Sequence, residues 1–372
     1  MARILHLSEF TKGGIETHLN EVLQHQRRTH DIYLMVSEQN SNRDTLCIHP
    51  ERLIIYPYKR SPAPMLRAMK AIRNVVKKIQ PDIIHVHGTF AGLFLRSVLF
   101  LKRERPVIIY CSHGWSFLMD ISAWKKRCYA LIESVLALKS DAIIHISRNE
   151  YEKALKLGIP KEKSIIVYNG ISNLDELQEK PIEVDPNKLN LLFVGRFDRQ
   201  KGFDRLMQVF REEAFPNVQL YLVGDSVLGD KAAIEIPESA AKLGWVEHSL
   251  IGACMEACDA VLVPSRWEGF GIVAIEAMRS RKAVIASNRG ALPEIVRNGI
   301  NGYVFDFDDL KQLKAIIRGL DKATLRKMGE AGEALFREHF HADSMNDQIE
   351  NLYEEAMKRR GSEDSPAIGK YV

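Results

Sequence analysis

Cysteine is scarce, at five in 372 residues. Cys47, Cys111, Cys128, Cys254 and Cys258 have neither the paired spacing of a zinc site nor that of a disulfide framework, so reduced thiols in a reducing compartment are expected. Long apolar runs are missing too. The most apolar span, residues 90–101, is too short for a bilayer and carries Arg96, so no membrane-crossing segment is expected. Residues 1–10 lack a signal-peptide pattern. Acid is absent between Arg52 and Lys78, where eight basic residues stand.

What remains describes a globular protein. The chain is 46% hydrophobic and 27% charged, and its length exceeds one ordinary core, so two domains of about 150 to 190 residues are expected. Residues 1–180 hold 27 basic and 18 acidic side chains, a balance of +9. The remainder holds 25 and 30, a balance of −5. A basic first half suggests an anionic partner. Apolar runs of strand length alternate with helical patterns in both halves: Ala2–Leu7, Ile32–Val36, Leu53–Tyr56, Val107–Tyr110 and Ala142–Ile146, then Leu191–Val194, Val218–Val223 and Ala283–Ala286. That alternation predicts two doubly wound parallel sheets. Helices are predicted at Met65–Ile79, Trp115–Leu138 and Leu310–Phe340, with a linker at 175–188 rich in polar residues and proline.

Residues 261–273 read V-L-V-P-S-R-W-E-G-F-G-I-V. A buried strand ends at Pro264, Gly269 and Gly271 make a turn around Phe270, and Ile272–Arg279 has helical spacing. A strand end, a glycine turn and a helix start form the crevice in which open α/β sheets hold ligands, and the helix start suits phosphate. Glu268 and Glu276 bracket the turn. Earlier, Gly195-Arg196 and Lys201-Gly202 follow a strand, offering a diphosphate a planar fork and a point charge. Gly13-Gly14 between the first strand and a helix repeats this geometry more weakly. Two further strands deliver His87-Gly88 and His113-Gly114 to turns, whereas His85 is expected to face the core.

Glu268, seven residues and Glu276, within S-R-W-E-G-F-G-I-V-A-I-E-A, resemble the signature of the family 4 (group 1) glycosyltransferases. G-G-I-E-T-H-L, Tyr-Asn-Gly-Ile and G-R-x-x-x-x-K-G add to the resemblance, which spans about residues 3–357. It implies an α/β GT-B fold: two Rossmann-like doubly wound parallel-sheet domains facing across a cleft. Residues 1–178 would bind acceptor, with helix 344–358 crossing back onto them, and residues 188–343 would bind the donor, leaving 359–372 as a tail. The reaction implied is retaining transfer of a hexose from a nucleotide diphosphate sugar, UDP favoured over GDP, to a hydroxyl of a glycan or lipid-linked glycan in bacterial surface polysaccharide synthesis. Gly14, Arg196 and Lys201 would hold the diphosphate, Glu276 the ribose, and Gly269, Phe270 and Gly271 the sugar and phosphate. Glu268 and His113 would be catalytic, while Gly13 and His87 would lie on the acceptor side.

No Asp-x-Asp triad stands in a metal-binding context beside a phosphate loop, so neither metal nor other cofactor is expected. The basic region 52–78 is expected to meet an anionic membrane surface, placing a cytoplasmic protein peripherally on the inner face of the plasma membrane. Nucleic acid is not expected, because no aromatic stacking pattern accompanies those charges. The alternatives are a GT-B-like nucleotide-sugar epimerase and a non-catalytic nucleotide-sugar-binding partner of a membrane assembly. Asp225-Ser226 after Gly224, together with Arg281, Ala283 and Ala291, depart from the family pattern around the nucleotide.

Overall fold

The computed structural model describes residues 1–102, 104–174, 182–226 and 234–361. The chain divides into two compact units, Met1–Gly170 with the segment from Ala342, and Ile171–His341.

The first unit starts with β1 (Arg3–Ser8), α1 (Gly14–Gln26), β2 (Asp31–Ser37) and β3 (Leu53–Tyr56). There follow α2 (Pro62–Ile79), β4 (Ile83–His87), α3 (Thr89–Val98) and β5 (Val107–Cys111). Then come α4 (Ala123–Ala137), β6 (Ala142–His145), α5 (Arg148–Lys156) and β7 (Ser164–Ile166). Its sheet is ordered β3-β2-β1-β4-β5-β6-β7, with parallel pairing throughout. Strand order reverses between β1 and β4. Their carboxyl ends carry the Gly13-Gly14 turn and His87-Gly88, the position where such sheets receive ligands.

The second unit opens with β8 (Leu189–Val194), α6 (Phe203–Glu212), β9 (Val218–Val223) and β10 (Ala240–Gly244). It continues with α7 (His248–Ala257), β11 (Ala260–Val263), α8 (Ile272–Arg279) and β12 (Ala283–Ser287). It closes with α9 (Leu292–Ile295), β13 (Gly302–Phe305), α10 (Leu310–Arg318) and α11 (Lys322–His339). The parallel sheet runs β10-β9-β8-β11-β12-β13, and its order reverses between β8 and β11. Gly195-Arg196 ends one of these strands and Pro264-Ser265 the other. Finally α12 (Ala342–Gly361) belongs to the first unit, where it packs on α1 and β5.

Three predicted helices differ. The helix expected at 115–138 begins only at Ala123, because Trp115 is buried against Phe117, with ring centroids 4.8 Å apart, and donates to His145 Nδ1 at 3.2 Å. The helix expected at 310–340 is two helices. Asp321 accepts from the Thr324 N–H at 2.8 Å and starts α11 afresh, since a side-chain cap satisfies amides the broken helix leaves open. The helix expected at Met65–Ile79 begins earlier, at Pro62, and turns Ala68, Ile72, Val76 and Ile79 to the core while Leu66 is 66% exposed. Part of the expected linker, residues 175–181, lies outside the described residues; 182–188 contain no helix or strand.

Candidate active site

In the second unit, the loop from β8 to α6 and the loop from β11 to α8 are tied together. Arg266 donates its backbone N–H to the Gln200 carbonyl at 2.8 Å and its guanidinium to Asp204 at 2.8 Å. Gly202 has φ +67°, and a Cβ there would collide with the Pro264 carbonyl, so only glycine allows this approach of the two loops. The closeness delivers Lys201 Nζ to Glu268 Oε2 at 2.6 Å, with Ser265 Oγ donating to the same oxygen at 3.0 Å. Gly290 presses on Glu268 from its other side with φ +60°, where a Cβ would strike the Glu268 carbonyl. Glu268 is thus clamped by a cation, a hydroxyl and a glycine.

Arg196 leaves the end of β8 and meets Gln200 Oε1 at 2.8 Å and Asp198 Oδ2 at 3.1 Å. Its side chain is 41% exposed, and with five N–H donors it keeps capacity for an anion. Gly271, at φ +102°, caps α8, and no side chain hydrogen-bonds to that helix start. Glu276 lies on α8, nearly buried, with His248 Nε2 3.3 Å from its Oε1. The Phe270 ring is buried near Phe340, with centroids 5.9 Å apart, so the turn offers a ligand backbone there and not an aromatic face. Asp225 pairs with Lys242 at 2.9 Å, which takes its carboxylate into an ion pair beside Gly224. Asp306-Phe307-Asp308, after the edge strand β13, is a turn. Asp306 accepts from the Asp308 N–H, and Asp308 is ion-paired with Arg289.

The first unit gathers five histidines. Strand register sets His6 of β1 opposite His85 of β4, and His87 lies two residues further along. Gln26 Oε1 is 2.8 Å from His6 Nε2, His6 Nδ1 is 3.1 Å from His87 Nε2, and His87 Nδ1 is 2.8 Å from His113 Nε2. An amide oxygen only accepts, so with this oxygen toward the ring His6 carries its proton on Nε2. His87 then donates from Nε2 to His6 Nδ1, and His113 from Nε2 to His87 Nδ1. His113 is left with an unprotonated Nδ1, the acceptor a proton-transfer site needs.

His18 stands edge-on to His113 with centroids 4.6 Å apart, and its Nδ1 is 2.9 Å from Asn169 Oδ1. His85 Nδ1 meets the Tyr353 hydroxyl at 2.6 Å. Burial lowers all five pKa values, to about 4 for His6 and His18. His113 sits at φ +52°, an uncommon backbone for a residue with a Cβ.

These contacts correct one expectation. His87 is fully buried with both ring nitrogens bonded to other histidines, so it supports His113 from behind and cannot itself touch an acceptor. His85 faces the core as expected. Gly13 caps α1 at φ +61° above open space, and Gly14 is the first helical residue. Beside them is Glu9, buried at the end of β1, with its carboxyl pushed up by burial despite Arg60 at 3.7 Å. Two imidazole groups, His6/His85/His87 and His18/His87/His113, bring ring nitrogens within 4.8 Å of one another. As ligand sets they fit a metal poorly, because the His6–His87 and His87–His113 pairs already use their facing nitrogens in hydrogen bonds.

Two Rossmann-like units, each presenting polar and glycine residues at its sheet's reversal point, define a two-domain α/β architecture of the GT-B class. Residues 12–173 match the Glycosyltransferase Family 4 profile and residues 175–335 the Glycosyl transferases group 1 profile. A 41.2 kDa protein in the cps region of Klebsiella pneumoniae, itself uncharacterized, is 33% identical over 340 residues, covering 89% of this chain and 92% of the relative. The chain belongs to this glycosyltransferase family. An Escherichia coli UDP-Gal:alpha-D-GlcNAc-diphosphoundecaprenol alpha-1,3-galactosyltransferase is 22% identical over 308 residues, 77% of this chain and 79% of the relative. Among solved structures, Anabaena HepE in complex with UDP and glucose matches with a TM-score of 0.78 at 19% identity, over 95% of this chain and all of that one.

Proposed function

We propose that the protein transfers a hexose from a UDP-sugar to a hydroxyl of a glycan or lipid-linked glycan, with retention at the anomeric carbon, in the synthesis of a surface polysaccharide. The observation that carries the reading is the pairing of Lys201 with Glu268 at the reversal point of the second sheet, with Arg196 on the same loop as Lys201 and the start of α8 without a side-chain hydrogen-bond cap. Departure of a nucleoside diphosphate leaves two negative phosphates. Arg196, Lys201 and the first amides of α8 stabilise that charge as it builds. Two fixed cations and a helix start perform this without a metal. Glu276, deeper along α8, accepts hydrogen bonds from the ribose hydroxyls, and Glu268 accepts them from the donor sugar. The departing phosphate takes part in deprotonating the acceptor hydroxyl on the same face, and His113 assists through its unprotonated Nδ1.

The uridine donor is supported by the E. coli relative, named for UDP-Gal, and by HepE, solved with UDP and glucose. A surface-polysaccharide setting is supported by the Klebsiella relative's place in a cps region. Calorimetric titration with UDP and with GDP, each with and without magnesium, tests the donor half. UDP binding that ignores magnesium is expected, to be followed by a UDP-sugar panel against lipid-linked acceptors. Binding of GDP alone, or of UDP only with magnesium, overturns it.

A further inference from the structure

The carboxyl ends of β1, β2 and β3 leave a second polar site in the first unit, beside the histidine row and separate from it. A crevice of about 440 Å³ lies there, lined by Phe10, Gln39, Asn40, Tyr58, Lys59 and Arg60, a size within the range of small-ligand sites. Hydrogen bonds tie its walls together. The Thr11 N–H donates to the Asn40 carbonyl at 2.9 Å, and the Glu38 N–H to the Tyr56 carbonyl at 3.0 Å. Ser37 Oγ donates to the Glu9 carbonyl at 2.6 Å. The crevice is thus held by three strand ends and does not depend on one loose loop.

Its lining offers donors that lack acceptors. Tyr58 is 3% exposed, with its ring edge-on to Phe94 at 5.5 Å, and its hydroxyl is buried without a hydrogen-bond partner. A buried polar group left in that state is costly to the fold and calls for an explanation. Burial, then the charge of Glu9, raise its pKa against the pull of Arg60, so the hydroxyl keeps its proton. Lys59 is exposed and, among the described residues, enters no ion pair. Arg60 lies over the Phe90 ring at 4.8 Å. The acid beside them, Glu9, is engaged already: Asn40 Nδ2 donates to it at 2.5 Å and Arg60 stands 3.7 Å away. Glu38 is paired with Arg43 at 3.9 Å.

Two cations and an idle hydroxyl donor select an anion. Phe10, 36% exposed, adds an apolar ring at the wall, which a bare anion would not use. A neutral sugar would take water from Lys59 and Arg60 and return no charge. Phe10 stands three residues before Gly13, the turn that opens α1, so the crevice borders the acceptor side of the transfer.

We propose that this crevice is a subsite for an anionic sugar unit of the acceptor, its carboxylate or phosphate held by Lys59, Arg60 and the Tyr58 hydroxyl and its ring laid on Phe10. The inference rests on the transfer reading and adds to it the charge of the acceptor. The test is a ligand-observed NMR titration of the full chain, without nucleotide, with methyl glucuronide, glucose 6-phosphate, methyl glucoside and inorganic phosphate. One of the two anionic sugars should bind at least tenfold more tightly than the neutral glucoside and than inorganic phosphate, and which of them does so identifies the anion. Lys59→Gln should weaken that binding about tenfold. Tyr58→Phe should weaken it severalfold without lowering the urea midpoint, because it removes a group that has no partner in the free protein. Equal binding of the glucoside overturns the proposal, as does inorganic phosphate matching the anionic sugars, or undiminished binding in both variants. UDP binding with no sugar binding overturns the subsite alone, whereas sugar binding with no UDP binding overturns the transfer reading.

Discussion

Replacing Glu268 with glutamine should tighten nucleotide binding and slow transfer at once. The carboxylate takes the Lys201 ammonium at 2.6 Å, and both side chains are mostly buried, at 11% and 21% exposed. A diphosphate arriving at Lys201 therefore meets a neutralised cation with an anion behind it. At an effective dielectric of about 20, a carboxylate about 6 Å from a phosphate repels it by roughly 3 kcal/mol. Halving that for the partial exposure leaves about 1.4 kcal/mol, or tenfold in affinity. Glutamine keeps the shape and can still accept from Ser265 Oγ while removing the charge. UDP should then bind about tenfold more tightly by calorimetry. Turnover should fall about a hundredfold if Glu268 holds the donor sugar in the transition state. Lys201→Met supplies the control: it should weaken UDP binding, and adding Glu268→Gln to it should restore at least tenfold, since the carboxylate's repulsion then has no cation to offset it. Unchanged or weaker UDP binding in Glu268→Gln alone would refute the reasoning.

Two further outcomes concern the first unit. Because burial lowers the histidine pKa values, His6 and His18 to about 4 from 6.5, the unfolded chain binds protons first as pH falls. Stability should be intact above about pH 6.5 and decline toward pH 4, on the order of 1 kcal/mol per pH unit per histidine; equal urea midpoints at pH 7.5 and pH 5 would contradict a neutral cluster. Arg96, fully buried, stacks on Tyr110 at 3.8 Å and pairs with Glu133. Glu133→Leu should cost about 3 to 5 kcal/mol by stranding that guanidinium, and Arg96→Met/Glu133→Leu should recover most of the loss, measured by chemical denaturation.

Much of the scaffold was readable. Buried strands of both sheets announce themselves as β-branched runs ending in glycine, and Arg196, Lys201 and Glu268 stand at fixed offsets from those ends. What escaped depends on register and on faces. R-I-L-H-L-S gives no sign that His6 matters; only the pairing of β1 with β4 places it behind His87. His18 similarly looks like any polar residue on an amphipathic helix. In α4 the stripe of large apolar residues looks like a core face. Trp124, Leu131, Val135 and Leu138 are exposed, and the core face consists of Ala130, Leu136, Ala137 and Glu133, the last buried with a partner 37 residues away. Periodicity locates a stripe without saying which way it points.

The chain's path has a consequence for its synthesis. Ile171 and His341 pair as an isolated bridge, and the Ile171 N–H donates to the Phe340 carbonyl at 3.0 Å. The second unit is therefore an insertion whose two ends meet, with all its strands made before α12. The first unit, begun earlier on the ribosome, cannot close until α12 supplies Tyr353 to His85 and Glu350 to His30. The half that starts first finishes last, and until then His85 and His30 lack these partners. A nascent chain halted before α12 should thus leave the α1 and β5 surfaces that α12 covers open to a folding helper.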